Sequence, residues 1–132
     1  MPKRLMLDTN VYDLVVARRD LAERLNHAVE DGAIEVLRTR VQEEEIARIP
    51  DASRRAAMRR VRGRTVPVSD APWQGMPRGG APSEDALIVA TAEESADVLV
   101  TEDRELAKQA KAGGRLEVWR FDQLVGFVEN LL

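Results

Sequence analysis

The chain contains no cysteine and a single histidine, and only five of its 132 residues are aromatic. Without thiols it forms neither disulfides nor thiolate metal sites, and a reducing cytoplasm is the expected compartment. The lone His27 lies among Glu23, Glu30 and Asp31 at near-helical spacing. It is expected to be a solvated surface residue, which removes a Ser-His-Asp relay from consideration. No apolar run approaches the roughly 18–20 residues needed to cross a bilayer, and the apolar stretch after the first four residues is too short for a secretory leader. No membrane partner is therefore expected. Phosphate-loop readings also fail, because "RGGAP" (78–82) has neither the Walker lysine nor the GxGxxG spacing.

What is present is an ordinary globular composition, 44% hydrophobic and 33% charged. The length suits one domain with its own core. The net charge of −3 points to no particular partner, but its distribution is uneven. Seven arginines lie between Arg48 and Arg64 against one acid, Asp51. Within that run Arg54, Arg55, Arg59, Arg60 and Arg62 are candidate contacts for a nucleic-acid backbone, or else the wet side of a helix.

Short β-type runs occur at Leu5–Leu7, Ile34–Leu37, Val98–Thr101 and Leu116–Phe121. Helical patterns alternate with them. Leu21, Leu25, Ala28 and Val29 form one apolar stripe. Val41–Ile49 is a second helical stretch, stopped by Pro50, and Ala56–Val61 a third. Ser83 suits the N-cap of a fourth, with Glu84 and Asp85 in its dipole-favoured first turn. A fifth runs from Asp103 to Ala112 and ends at Gly113-Gly114, and the last is built on Phe121, Leu124, Val125, Val128 and Leu131. This alternation predicts an α/β fold with a parallel sheet covered on both faces. The Pro- and Gly-rich stretch 68–85 reads as a long surface loop. Trp73 and Trp119 read as packing residues.

The acidic residues are the chemistry. "LMLDTN" (5–10) and "VLVTED" (98–103) both run an apolar strand into a carboxylate. In open α/β sheets ligands bind beyond the carboxyl ends of the strands. Asp8 and Asp103 would share one rim if their strands are neighbours, and Asp85 could face it from its helix. The helix after the second strand carries "EEE" at 43–45. Such acids repel unless a cation sits among them, and oxygen donors of this kind suit Mg²⁺ or Mn²⁺. Asp8 is thus expected to be a wall of a metal site rather than a helix cap.

The segments "LDTNVY", "EEEIARI" and "DALIVATAEESADVLVTED", with the "REL" that follows, resemble the PIN-domain ribonucleases, and most of all the VapC-type toxins of bacterial toxin–antitoxin pairs. The resemblance spans about residues 4–125. It implies a PIN-like three-layer sandwich, a central parallel sheet between helices, as a single domain over 1–132. It implies Mg²⁺-dependent (or Mn²⁺-dependent) endoribonucleolytic cleavage, with Asp8, Asp85 and Asp103 as catalytic metal ligands. Thr101 and Asn10 match supporting polar positions. The family's fourth acid lies early in a helix before an aliphatic residue, which selects Glu45 before Ile46, with Glu44 as runner-up. Glu102 departs from the pattern, as relatives often carry Asn there. The resemblance further implies an antitoxin protein as partner of a type II pair, and a homodimer. The competing readings are a housekeeping RNA-processing nuclease and a non-catalytic interaction module on the same fold. A receiver domain would need an adjacent acidic pair after the first strand and a late lysine, and an aspartyl-phosphate phosphatase an acid at position 10, where Asn10 stands.

Overall fold

The computed structural model describes residues 1–131. In chain order the elements are β1 (Lys3–Leu7), α1 (Thr9–Val16), α2 (Arg19–Glu30), β2 (Ile34–Thr39), α3 (Arg40–Ala47), α4 (Ala52–Arg60), β3 (Arg64–Val66), a 3₁₀ turn at Ala71–Trp73, α5 (Glu84–Ser95), β4 (Val98–Val100), α6 (Arg104–Ala112), β5 (Glu117–Trp119) and α7 (Phe121–Glu129). The five strands form one parallel sheet in the order β3-β2-β1-β4-β5. This is the expected α/β sandwich. Two elements have no counterpart in the sequence reading, α1 and β3, and α4 begins four residues before the helix expected from Ala56.

The central strand explains the layering. Leu5, Met6 and Leu7 are fully buried, as a strand covered on both faces must be. Successive side chains alternate between faces. Leu5 and Leu7 pack with Val11, Tyr12 and Val15 of α1, Leu21 and Leu25 of α2, Met58 of α4, and Leu124 and Val128 of α7. Met6 packs on the other side with Leu37, Leu99, Val89 and Ala92 of α5, and Leu106 and Ala110 of α6. Trp119 belongs to the first of these cores, but Trp73 is 52% exposed, contrary to the expectation that it packs.

Chain order sets a switch point. From β1 the chain moves outwards to β2 and β3, then returns to the opposite side of β1 for β4 and β5. The β1/β4 seam is therefore where the direction of winding reverses, and the carboxyl end of such a switch point is where open α/β sheets bind ligands. The seam is tied at its amino end by Asp97, whose carboxylate accepts from the Arg4 backbone N–H (2.9 Å) and from the Arg4 guanidinium (3.2 Å). Turns between elements use the expected glycines. Gly114 takes φ +67°, the left-handed conformation in which a helix such as α6 stops.

Because Leu7 is fully buried beside the seam, Leu7→Ala should cost about 2–5 kcal/mol, whereas truncating the partly exposed Leu14 should cost about 0.5 kcal/mol or less. Urea denaturation of the two variants checks the contrast. Equal losses would mean that the sheet centre is not the mechanical core.

Candidate metal centre

β1 and β4 end level with one another, Leu7 beside Val100, so Asp8 and Thr101 leave the sheet side by side. The Asp8 backbone N–H still bonds to the Val100 carbonyl (3.0 Å), which carries the pairing one residue beyond the strand. Asp8 is 9% exposed. Its Oδ2 accepts from the Thr101 hydroxyl (2.9 Å), and its Oδ1 accepts from the Thr9 backbone N–H (2.8 Å). The Thr101 oxygen in turn accepts from the Asp103 backbone N–H (3.0 Å). A single buried hydroxyl thus joins the turns that follow the two strands.

Both strand-end aspartates are helix caps. Asp8 caps α1, and Asp103 caps α6 by accepting from the Glu105 (2.9 Å) and Leu106 (3.2 Å) amides through Oδ1. The expectation that Asp8 is a wall of a site rather than a cap is corrected on the second half: it caps α1 whatever else it does. Capping is compatible with further coordination, because a carboxylate offers about four acceptor positions and neither residue uses more than two. Asp85 stands half-buried in the first turn of α5, next to the Ser83 cap, whose hydroxyl accepts from the Ala86 N–H (3.1 Å).

The electrostatics tie three of these acids together. The Asp8 carboxyl is raised above its ordinary 3.8, chiefly because burial penalises its charged form. Its bonds to Thr101 and to the Thr9 amide oppose the rise, and the negative charges of Asp103 and Asp85 add to it. Asp8, Asp85 and Asp103 therefore share one electrostatic neighbourhood at the switch point.

Glu45 does not join them closely. It is half-buried on α3 and lines a cleft of about 160 Å³ with Val41, Val68, Glu84, Leu87 and Ile88. α3 is oriented by a capping box in which the Thr39 hydroxyl accepts from the Gln42 amide (3.2 Å) and the Gln42 side chain accepts from Thr39 (3.0 Å). Gln42 also donates to the Leu7 carbonyl (2.5 Å), one residue before Asp8, so α3 is anchored to the end of β1. The alternatives to Glu45 are engaged elsewhere. Glu43 accepts from the Thr65 hydroxyl on β3, and the exposed Glu44 faces Arg40 one turn back at 4.0 Å. Glu102 is held by Arg120 (3.1 Å), and Asn10 is exposed on α1.

Among the described residues no three acidic side chains stand close enough to coordinate one ion as they are placed. The expected arrangement of the four acids close enough to hold one ion is not seen as the side chains are placed. The donor chemistry nevertheless suits a hard divalent cation, since Asp8, Asp85 and Asp103 offer oxygens only and, among the described residues, no ion pair neutralises any of them.

The arginine run is largely committed to the protein. Arg54 makes a two-pronged pair with Asp13 of α1 (2.6 and 2.7 Å), Arg55 donates to the Ile49 carbonyl (2.6 Å), and Arg62 pairs with Glu30 (2.8 Å). Arg59 and Arg60 make no ion pair among the described residues. Sequence reasoning passed over a second basic group, Arg104, Lys108 and Lys111 on α6 with Arg120 opposite, which lines a cleft reaching Thr101 and Asp103. The i, i+4, i+7 spacing was its available signal.

No protein-family model matches this sequence, and no curated protein matches it. The fold is similar to that of a chain in the crystal structure of VapBC2 from Rickettsia felis bound to a DNA fragment from their promoter. The TM-score is 0.54 and the identity 13%, over 89% of this chain and 98% of that one. At that identity the likeness concerns the fold, a PIN-like α/β sandwich.

A pH-dependent signature follows from the raised Asp8 carboxyl. A group whose folded value is raised loses stability as pH climbs through that value and regains it on acidification. In EDTA, Asp8→Asn should therefore be more stable than the wild type near neutral pH. The gap should close as pH falls towards 3.8, the ordinary carboxyl value. Urea unfolding of both proteins across that range measures the difference, and a pH-independent gap would contradict the assignment.

Proposed function

We propose that this chain, acting as one domain over residues 1–132, is a Mg²⁺- or Mn²⁺-dependent endoribonuclease of the PIN type and the toxin of a type II toxin–antitoxin pair. The observation that carries the reading is that Asp85 and Asp103 act electrostatically on Asp8 at the β1/β4 switch point while, among the described residues, no cation is paired to any of the three. A structural cluster would be neutralised by arginine or lysine. A cluster that waits for a metal is left open.

In this reading Asp8, Asp85 and Asp103 hold the ion, and Glu45 closes the site from α3. When bound, the divalent cation would draw charge from the phosphodiester, ease deprotonation of the attacking water and stabilise the leaving oxygen. The chain's own residues position these groups. Thr101 fixes Asp8 Oδ2 through a buried hydrogen bond, which keeps one oxygen edge turned from the sheet. Asp103 keeps Oδ2 free while Oδ1 caps α6. Asn10, exposed on the first turn of α1, is a polar contact for substrate at the rim.

The toxin assignment is supported by the similarity of the sequence motifs to VapC-type toxins and of the fold to a chain of VapBC2. It brings an antitoxin partner and a homodimer with it. A chain that cleaves RNA but is monomeric, harmless when overexpressed and free of any co-purifying product of the adjacent gene would instead be a housekeeping nuclease. A chain that retains the fold without cleavage would be a protein-interaction module.

The test is cleavage of a labelled single-stranded RNA pool with Mg²⁺ or Mn²⁺. EDTA should abolish cleavage, and Asp8→Asn or Asp103→Asn should lower it by about two orders of magnitude or more while circular dichroism stays unchanged. Glu45→Gln should impair it far more than Glu44→Gln, since Glu44 faces solvent. Undiminished cleavage by purified Asp8→Asn would place the activity in another protein.

A further inference from the structure

A cleft of about 530 Å³ opens beside the acidic site. Its inner end is formed by Thr101 and Asp103, and its walls carry Arg104, Lys108 and Lys111 of α6 and Arg120 at the start of α7. The three α6 residues fall on one stripe because they are four and three positions apart. Leu106 and Ala110 occupy the opposite stripe and are buried in the core, so the basic stripe is held facing outwards. Half-buried Ala107 and Val118 supply an apolar floor.

Uncommitted charge beside the acidic site marks this surface: Arg48, Arg59 and Arg60 also face no carboxylate among the described residues, but the α6 group lines the cleft that Thr101 and Asp103 line too. Between residues 48 and 64, Arg54, Arg62 and Arg64 each face a carboxylate, Asp13, Glu30 and Glu35 respectively. Arg104, Lys108 and Lys111 face none among the described residues. Arg120 is joined to Glu102 (3.1 Å). From Arg104 to Lys111 the stripe covers about 10 Å of helix. It begins at the residue after Asp103.

We infer that this cleft carries the backbone of single-stranded RNA away from the acidic site, with Lys108 and Lys111 as phosphate contacts. The inference rests on the nuclease reading for its substrate and redirects the path from the 54–62 arginines to α6. Unpaired cations in a row attract successive phosphates without reading sequence. A single basic stripe about 10 Å long along one helix suits the backbone of one strand. Glu102, the departure from the family pattern, then has a role: it orients Arg120 across the cleft.

The experiment measures binding apart from cleavage. Fluorescence anisotropy with a labelled single-stranded RNA is read in EDTA, with every protein on the Asp8→Asn background. Lys108→Glu/Lys111→Glu should weaken binding about tenfold or more, and losing two phosphate contacts should flatten the salt dependence by about 1.4 in log–log slope. Arg19→Glu/Arg24→Glu on α2, an equal change of net charge, should stay within about twofold. Lys108→Gln/Lys111→Gln gives the milder version if charge reversal disturbs α6. Unchanged affinity in the α6 variants, or an equal loss in the α2 variant, overturns the track. Cleavage by the otherwise wild-type chain is scored separately. RNA bound through α6 but never cut removes the nuclease reading and leaves the track standing. Normal binding and cutting by the α6 variants does the reverse.

Discussion

The hydroxyl of Thr101 has one proton and one task for it. Its oxygen already accepts from the Asp103 amide, so its hydrogen is directed to Asp8. That bond lies at the seam where the sheet changes direction of winding, and it sets the relative height of the two strand-end turns. Without it the carboxylate of Asp8, 9% exposed and level with its neighbours' charges, would lose its main compensation for burial. A buried carboxylate without a partner is costly, and a partner hydroxyl offsets part of that cost. Asp8 capping α1, Asp103 capping α6 and the shared hydroxyl together hold the acids on rigid element ends rather than on a loop.

The same arrangement stores electrostatic tension. Three carboxylates share one electrostatic neighbourhood, and among the described residues no cation pairs with them, while others are engaged elsewhere: Arg4 with Asp97 at the far end of the seam, Arg54 with Asp13, Arg62 with Glu30. Acids that repel one another without a pairing cation lower stability, and burial of Asp8 adds to that cost. The division of charge across the molecule follows one logic. Acids follow the carboxyl ends of β1 and β4, and a row of cations that pair with no carboxylate among the described residues, Arg104, Lys108 and Lys111, begins immediately after Asp103 on α6.

Much of the fold was legible because its signals are local. Four of the strands announce themselves as short apolar runs, and α2, α5 and α6 by caps, stripes and stops. α1 was missed because its apolar residues, Val11, Tyr12 and Val15, follow a strand after one polar break and include β-branched and aromatic types, which blur the helical period. β3 was missed because it is three residues long, and Arg64 and Thr65 are exposed on the sheet edge. Trp73 reads as a core residue by type, yet only the course of the 68–85 segment decides whether anything covers it. The acids divide in the same way. Asp8, Asp85 and Asp103 stood out by their positions at strand ends and a helix start, whereas the preference for Glu45 rested on the family resemblance and its place before Ile46; that Thr65 and Arg40 engage Glu43 and Glu44 is visible only in the structure.

By itself the sequence determined the alternation of strands and helices, the caps that begin α5 and α6, and the order in which acids follow strands. These depend on neighbours within one or two turns, and local sterics and hydrogen bonding suffice. Tertiary structure alone decided that β4 lies against β1, that Thr101 reaches Asp8 across 93 positions of sequence, and that the arginines of 54–62 are mostly spent on Asp13, Glu30 and the Ile49 carbonyl. It also decided that the basic stripe of α6 lines a cleft with Thr101 and Asp103. A charge pattern states which groups exist, but whether two of them meet depends on chain crossovers that bring distant segments within a few ångströms, and Coulomb and hydrogen-bond energies fall off over that same distance.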